Sequence, residues 1–251
     1  FHNDSHPSMM VSKTRQTYHC FVCGAHGDVI DFIEKYNNIT FAAALRICCK
    51  MAGEEFPEKE MTPEENEEYK LLECRRIAIG AAAKFFQPNL SQAESFLQAR
   101  GYSHSDKVLA DFGVGYAPMG NVAMRHLTGN GYDLELLKSV GVLGKSEDGR
   151  YYDFFRDRVM FPFYDLSGRV IAFSGRIVTP NDKTGKYVNT GETPIFRKGN
   201  HIFGLYQAKR AIGKEGFAYL VEGQFDVVTL HRYGVENVIG GSGTAFTDEQ
   251  V

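Results

Sequence analysis

The spacing of apolar residues changes along the chain, and the first segment alternates over short distances. Up to about residue 35, apolar and polar residues alternate between turns, as in MMVSKTRQTYHCF, which predicts a small antiparallel sheet. From there to Gly53, apolar residues recur at helical spacing in DVIDFIEKYNNITFAAALRICCKMAG, and the glycine supplies a stop. The first segment is too small to fold on its apolar area alone, so it needs another source of stability.

The remainder of the chain predicts helices first and strands afterwards. Ser91 and Glu94 fit a capping box, and Gly101 closes the helix that they begin. The segments RVMFPFYD and GRVIAFSGRIV alternate around residues 165–168, which predicts a hairpin. The segment FAYLVEGQFDVVTLHRYGVENVIGGSG predicts strand, helix and strand of a parallel α/β unit. The helices are predicted at residues 69–87, 91–101, 103–111 and 133–140.

Composition places the chain among globular proteins, and the distribution of charge separates an acidic segment from a basic one. The 251 residues are 43% hydrophobic, with no apolar run of membrane length and no leader segment, so we expect no membrane contact and a cytoplasmic location. Residues 54–73 hold nine acids against two lysines, whereas residues 151–214 hold eleven Lys and Arg against five acids. The acidic stretch contains Pro57 and Pro63 and is predicted to be a linker. Since Phe1 is not an initiator methionine and the chain stops after a glycine-rich turn, we expect this sequence to be a fragment of a longer protein.

Two of the five cysteines, Cys20 and Cys23, form a C-x-x-C pair. An odd cysteine count in a chain of this length is not typical of a disulfide framework, which leaves metal or redox chemistry. A turn of this kind presents two thiolates to one zinc ion, and zinc requires four ligands. The stretch FHNDSHPSM offers His2 and His6 for the other half. The alternatives are two buried thiols or a redox pair, although the strand–helix context of redox motifs is lacking.

Two further patterns are compatible with nucleotide chemistry. Between residues 156 and 199 cations are interleaved with aromatic residues, which suits a groove for a single strand, although composition alone favours a half-exposed sheet with a solvated face. Glu222 stands at the carboxyl end of a predicted strand, and Asp226 follows it. These acids could hold magnesium for phosphoryl transfer, or they could simply favour the start of a helix.

Taken together, these motifs resemble bacterial DnaG-type primases in order along nearly the whole chain. FHNDSHPSMMVSKTRQTYHCFVCGAHGDVIDFI is similar to their zinc ribbon, which implies that His2, Cys20 and Cys23 are ligands of one structural zinc per chain. The resemblance places the fourth ligand, a cysteine, upstream of Phe1. His6, His19 and His26 would then be ordinary polar residues.

The basic segment resembles the amino-terminal part of the primase polymerase domain, including the later LYQA. Ser174 replaces a usual glycine of that motif, and Thr190-Gly191 replaces Ser-Pro before Glu192, which puts local loop shape in doubt. Arg158 and Arg156 match a neighbouring R-x-R. The resemblance implies that template and nucleotide contact Arg158, Arg176, Lys186, Tyr187, Asn189 and Lys198.

The segment YLVEGQFDVVTL resembles the first motif of the TOPRIM fold of the same primases. The resemblance implies that Glu222 is catalytic and binds magnesium or manganese, and that Asp226 supports the metal cluster. The Asp-x-Asp of that fold is expected beyond Val251, so we expect the fragment itself to be inactive.

The expected fold class is α+β and multidomain, with a zinc ribbon, a mixed α/β polymerase core and the start of a TOPRIM fold. The expected function is a DNA primase, which makes RNA primers on single-stranded DNA from ribonucleoside triphosphates at the replication fork. It would be a monomer that contacts the replicative helicase through a region outside this sequence. The alternative is a non-catalytic single-strand-binding protein of a phage or mobile element. The expected domains are a zinc ribbon (1–53), a linker (54–68), a polymerase subdomain (69–214) and a TOPRIM start (215–251).

Overall fold

The computed structural model describes residues 7–37, 39, 41–56, 62–180 and 185–241. Contacts between residues divide the chain into two compact units, residues 1–62 and residues 63–251. Strands and helices occur together in each unit, as the predicted α+β class requires. Among the described residues no helix combines the length and the apolar character needed to cross a bilayer.

The first unit contains the predicted small antiparallel sheet, in the order β1-β2-β3. Tyr18 and Cys20 point to its buried face, where the Tyr18 ring meets the edge of Phe32 at 5.2 Å between centroids. The Asp28 carboxylate accepts hydrogen bonds from the first backbone N–H groups of the helix that follows. The elements are β1 (Met9–Ser12), β2 (Thr17–Cys20), β3 (His26–Asp28), α1 (Val29–Asn37) and α2 (Phe41–Ala52).

The second unit begins with a long helix, α3 (Pro63–Phe86), which starts six residues before the predicted start at residue 69. Residues 63–68 are therefore helical, and the predicted helix start at residue 69 is wrong. Proline is well tolerated at the first position of a helix, and the carboxylates of Glu64 and Glu65 are favoured in its first turn.

The predicted capping box at Ser91 and Glu94 is also wrong. Pro88–Ala93 forms a short 3-10 turn, and the cap position of the helix after it is Ala93, without a side-chain bond. Glu94 instead accepts hydrogen bonds from the backbone and ring of His104. The helices of this region are α4 (Glu94–Gln98), α5 (Lys107–Asp111), α6 (Val122–Gly129), which was not predicted, and α7 (Leu134–Ser139).

A four-stranded antiparallel sheet organises the second unit, in the order β4-β7-β8-β9. The predicted hairpin is its centre, since β7 and β8 pair antiparallel, with one register shift between Phe163 and Tyr164, and their connecting turn places Gly168 at a φ of +82°. A separate antiparallel pair, β5-β6, follows α7 and precedes β7 in the chain. The strands are β4 (Gly115–Ala117), β5 (Leu143–Lys145), β6 (Tyr151–Asp153), β7 (Arg158–Tyr164), β8 (Val170–Ile177) and β9 (Tyr187–Asn189).

The sheet is covered on both faces, which explains why β7 is buried along almost its whole length. One face carries Met160 and Phe173 and packs against α3, α6 and α7. The other carries Val159 and Phe161 and packs against the last part of the described chain. That part confirms the predicted parallel unit, with α8 (Leu205–Glu215), β10 (Tyr219–Val221), α9 (Gln224–Arg232) and β11 (Val238–Gly240).

Candidate nucleic-acid interface and metal ligands

The cysteine pair of the first unit lies in a tight turn at the end of β2. Cys20 is 1% exposed, and its backbone binds both Gly24 and Ala25, so the chain folds back directly after it. Cys23 is exposed in that turn. Two thiolates are ligands that zinc prefers, so these donors fit half a zinc site. Among the described residues no group of three or more His, Cys, Asp or Glu could hold a metal ion.

The histidines considered for this site have different positions. His2 and His6 lie outside the described residues. The ring of His26 donates through Nδ1 to the Gly24 carbonyl at 2.9 Å, and His19 stacks on it with 5.9 Å between centroids. The ring of Phe21 also lies close to His19, with 4.7 Å between their centroids. His19, Phe21 and His26 are all exposed.

In the second unit the sheet brings three predicted contact residues to one face. Arg176 lies opposite Tyr187 in the pairing of β8 with β9, and Ser174 lies opposite Asn189. Residues paired in this way share a face of the sheet. The guanidinium of Arg176 lies 5.2 Å from the centroid of the Tyr187 ring, a cation–π distance. A cation, a flat ring and an amide therefore stand side by side.

The other predicted lysines lie at the ends of neighbouring elements. Lys186 is exposed directly before β9, and its carbonyl accepts from the Ile177 N–H at 3.1 Å. Lys198 begins a 3-10 turn, Lys198–Asn200, and its backbone N–H donates to the Glu192 carboxylate at 2.9 Å.

The two arginines of the R-x-R motif bond to other groups of the unit. Arg158 is 4% exposed, and its guanidinium donates to the carbonyls of Gly175 and Gly185. Burial lowers its pKa, an effect that the neighbouring Asp157 opposes. Arg156 donates to the side chain of Asn121 at 3.1 Å.

The two predicted acids lie where β10 meets α9. Glu222 is exposed directly after the strand, and Asp226 is exposed in the first turn of the helix. The Asp226 carboxylate accepts from the Gly223 N–H at 3.2 Å, so it also caps the helix. Phe225 packs against Phe161 with 4.9 Å between ring centroids, which fixes this helix start against the sheet.

The charge of Asp226 affects a residue on the sheet face. The pKa of Tyr187 is raised, first by burial and also by the negative charge of Asp226, whereas the charges of Arg176 and Arg100 oppose that rise. Burial is likewise the main reason why the pKa of Arg176 is lowered. The helix start and the cationic face therefore lie within electrostatic reach of each other.

Arg100 is a member of this group that the sequence reasoning missed. Its guanidinium lies 3.7 Å from the centroid of the Phe96 ring and 5.8 Å from that of Phe225. In the sequence Arg100 is only the residue before Gly101, which ends a helix, and nothing local connects it to α9. We define the interface patch as Arg100, Arg176, Tyr187, Asn189 and Asp226, together with Glu222, which lies directly before the same helix.

Chemically, the interface patch offers cations for phosphates and a flat ring for a base. The adjacent carboxylates are hard oxygen donors, the ligand type of magnesium and manganese. Such a patch can bind a single-stranded nucleic acid or the triphosphate of a nucleotide.

Comparison with family models places the chain among known sequences. A model described as DNA primase catalytic core, N-terminal domain, matches residues 81–209, more than half of the chain. A second, described as CHC2 zinc finger, matches residues 1–64.

Individual proteins agree with these matches. DNA primases of Pasteurella multocida (strain Pm70) and Escherichia coli (strain K12) are 36% and 37% identical, over 257 and 258 residues that cover 100% of this chain and 44% of each relative. The chain thus spans about 44% of these relatives' length. Among solved structures, the zinc-binding and RNA polymerase domains of Aquifex aeolicus primase match with a TM-score of 0.65 and 35% identity, covering 100% of this chain and 60% of that one. A DnaG primase catalytic domain bound to single-stranded DNA matches with a TM-score of 0.65 and 34% identity, covering 72% and 59%.

Proposed function

Because this chain belongs to the DnaG-type DNA primase family, we propose that it carries the template-binding part of an enzyme that makes RNA primers on single-stranded DNA. The observation that supports this most is the interface patch, in which Arg176 and Tyr187 stand beside the acid-bearing start of α9. A relative of similar fold binds single-stranded DNA. The substrates would be a DNA template and ribonucleoside triphosphates, joined with release of pyrophosphate.

Template binding would use the cationic side of the patch. Arg176 and Arg100 would bind phosphates, while the Tyr187 ring would stack on a base. Asn189, which lies on the same face, would supply hydrogen bonds to the nucleotide. Lys186 and Lys198 would extend the contact beyond β9. Arg158 is left out of this contact set because its guanidinium is buried and already bound to backbone carbonyls.

The acids would serve the chemical step. Glu222 and Asp226 would hold magnesium or manganese, which when bound would neutralise triphosphate charge and favour attack by the primer hydroxyl. Both side chains are exposed at one helix start, which leaves their oxygens accessible. Asp226 additionally keeps the helix start rigid through its bond to Gly223.

The first unit would hold one structural zinc through Cys20, Cys23 and His2. The match to a zinc-finger family and the folded cysteine turn support this assignment. We further propose a TOPRIM domain from residue 215, a zinc ribbon within residues 1–53 and a polymerase subdomain that includes α3. The whole protein would act as a cytoplasmic monomer in the primosome and contact the replicative helicase.

Titration of a fluorescent single-stranded oligonucleotide with the 251-residue chain at several salt concentrations tests the binding surface. Arg176→Ala and Lys186→Ala should each weaken binding and reduce the slope of log K against log salt by about 0.7, the value for one lost phosphate contact on a single strand. Arg150→Ala is the matched control, since Arg150 is exposed in the turn before β6. If both variants follow the wild type, or if the control loses as much, the cationic face is an ordinary solvated surface.

A further inference from the structure

Among the described residues Arg158 is the one lysine or arginine that is buried. It begins β7, in the middle of the sheet. Its Nη1 donates to the Gly175 carbonyl at 2.9 Å and to the Gly185 carbonyl at 3.2 Å, and its Nη2 donates to Gly185 at 3.1 Å. With 4% of its surface exposed, the side chain has almost nothing left to offer a phosphate.

The chain is shaped to receive this guanidinium. A side chain at Gly175 would bring its Cβ to 2.9 Å from Cδ of Arg158 and 2.8 Å from the ring of Phe155, so only glycine leaves room there. A buried charge is costly unless its donors are satisfied, and the planar fork of arginine can bridge two carbonyls at once. The two carbonyls belong to β8 and to the segment before β9, so the guanidinium ties these parts together.

The preceding residue, Asp157, binds the other end of the segment that joins β8 to β9. Asp157 has a left-handed backbone, with φ at +51°, and is buried. Its carboxylate accepts from the Thr179 N–H at 3.0 Å and from the Tyr116 hydroxyl at 2.8 Å, and its carbonyl accepts from the Val178 N–H. Thr179 follows β8, whereas Gly185 precedes Lys186 and Tyr187. Two consecutive residues therefore fix both ends of the connection from β8 to β9.

We infer that Arg158, with Asp157, is a positioning residue that holds the described ends of the segment between β8 and β9, at Thr179 and Gly185, and thereby places Lys186 and Tyr187, instead of contacting the nucleic acid itself. The inference deepens the proposed function, on which the roles of Lys186 and Tyr187 rest. It differs from the direct contact that the sequence motif implies for Arg158.

The test compares Arg158→Lys with Arg158→Gln in the 251-residue chain. Lysine keeps the charge but loses the planar fork whose two nitrogens join the Gly175 and Gly185 carbonyls, so both variants should weaken single-strand binding by a similar factor, roughly fivefold or more. Amide exchange in residues 185–189 should rise in both. A direct phosphate contact predicts instead that lysine keeps most of the affinity and that exchange is unchanged, and this result would overturn the inference.

Asp157→Gly covers the case in which changes at the buried arginine prevent folding, because glycine removes the carboxylate and tolerates the left-handed backbone at this position. This variant leaves Arg158 in place and makes the protein more positive, so a role of charge alone predicts equal or tighter DNA binding. Positioning predicts weaker binding and faster exchange at Thr179, and unchanged exchange there would contradict it. Amide exchange is measured without DNA, so it tests the positioning role of Arg158 and Asp157 even if the wild type does not bind DNA. Failure of the wild type to bind DNA would reject the proposed function and leave the exchange result unaffected.

Discussion

Replacement of Asp153 by alanine should destabilise the second unit through a helix that lies far from it in sequence. Asp153 ends β6 and is 2% exposed. Its Oδ2 accepts from the Ala123 N–H at 2.9 Å and its Oδ1 from the Met124 N–H at 2.8 Å. These donors belong to the first turn of α6, whose own cap residue, Asn121, makes no capping bond. The carboxylate therefore caps α6 from a neighbouring strand.

The expected change in the free energy of unfolding follows from two opposing effects. Hydrogen bonds to a charged group contribute roughly 1.5–3 kcal/mol each, but burial of the carboxylate costs part of that gain. Burial is also the main reason why the pKa of Asp153 is raised, against the effect of the two backbone donors. We therefore expect Asp153→Ala to lower the free energy of unfolding by about 3 kcal/mol. For a unit of this size the melting temperature should fall by about 6–12 °C.

Thermal unfolding followed by far-ultraviolet circular dichroism measures this change. Asp148→Ala is the matched control, because Asp148 is an exposed acid whose ion pair with Arg150 lies within one turn. Exposed pairs of this kind contribute little, so the control should melt like the wild type. If Asp153→Ala melted no lower than Asp148→Ala, the cap on α6 would not stabilise the unit and the reasoning would be refuted.

Two further substitutions and one metal measurement give independent predictions. Ser174→Ala should raise the melting temperature slightly, because the buried Ser174 hydroxyl has no hydrogen-bond partner in the described structure; a clear decrease would show that it has one. The backbone N–H of His104, followed by its ring, lowers the pKa of Glu94 to about 2. The wild type should thus be more stable than Glu94→Gln by the full amount at pH values above the pKa of Glu94 in the unfolded chain, and this difference should shrink as the pH falls towards 2. A difference in melting temperature that does not change with pH would contradict this. Cys20→Ser should lower the zinc content of the purified protein, and unchanged zinc by elemental analysis would remove Cys20 from the site.

Local signals predicted the sheet hairpin and the parallel unit correctly. The apolar segments that form β7 and β8 are close together in the sequence and are joined by a short turn whose Gly168 adopts a left-handed backbone, so the signals for this hairpin are local. The start of α3 was missed because composition suggested a linker, although Pro63 and the acids after it favour a helix start.

Contacts between distant residues could not be predicted. The unpredicted helix α6 depends on Asp153, which lies about thirty residues away, and the failed capping box at Glu94 reflects its bond to His104. In the interface patch the sequence indicated Arg176 and Tyr187 through the family resemblance, and the structure places them side by side. Arg100 joins them only because α4 and α9 pack together, which no local pattern shows.

De novo RNA synthesis on single-stranded DNA by the complete gene product tests the central proposal most directly. Wild type should make primers with magnesium or manganese, and Glu222→Gln should reduce synthesis about a hundredfold or more while single-strand binding persists. Glu236→Gln, at an exposed acid beyond the opposite end of α9, should synthesise primers like the wild type. Primer synthesis by Glu222→Gln at a near-normal rate would remove Glu222 from the mechanism, and a wild type that binds the template without making primers would contradict the assignment as a primase.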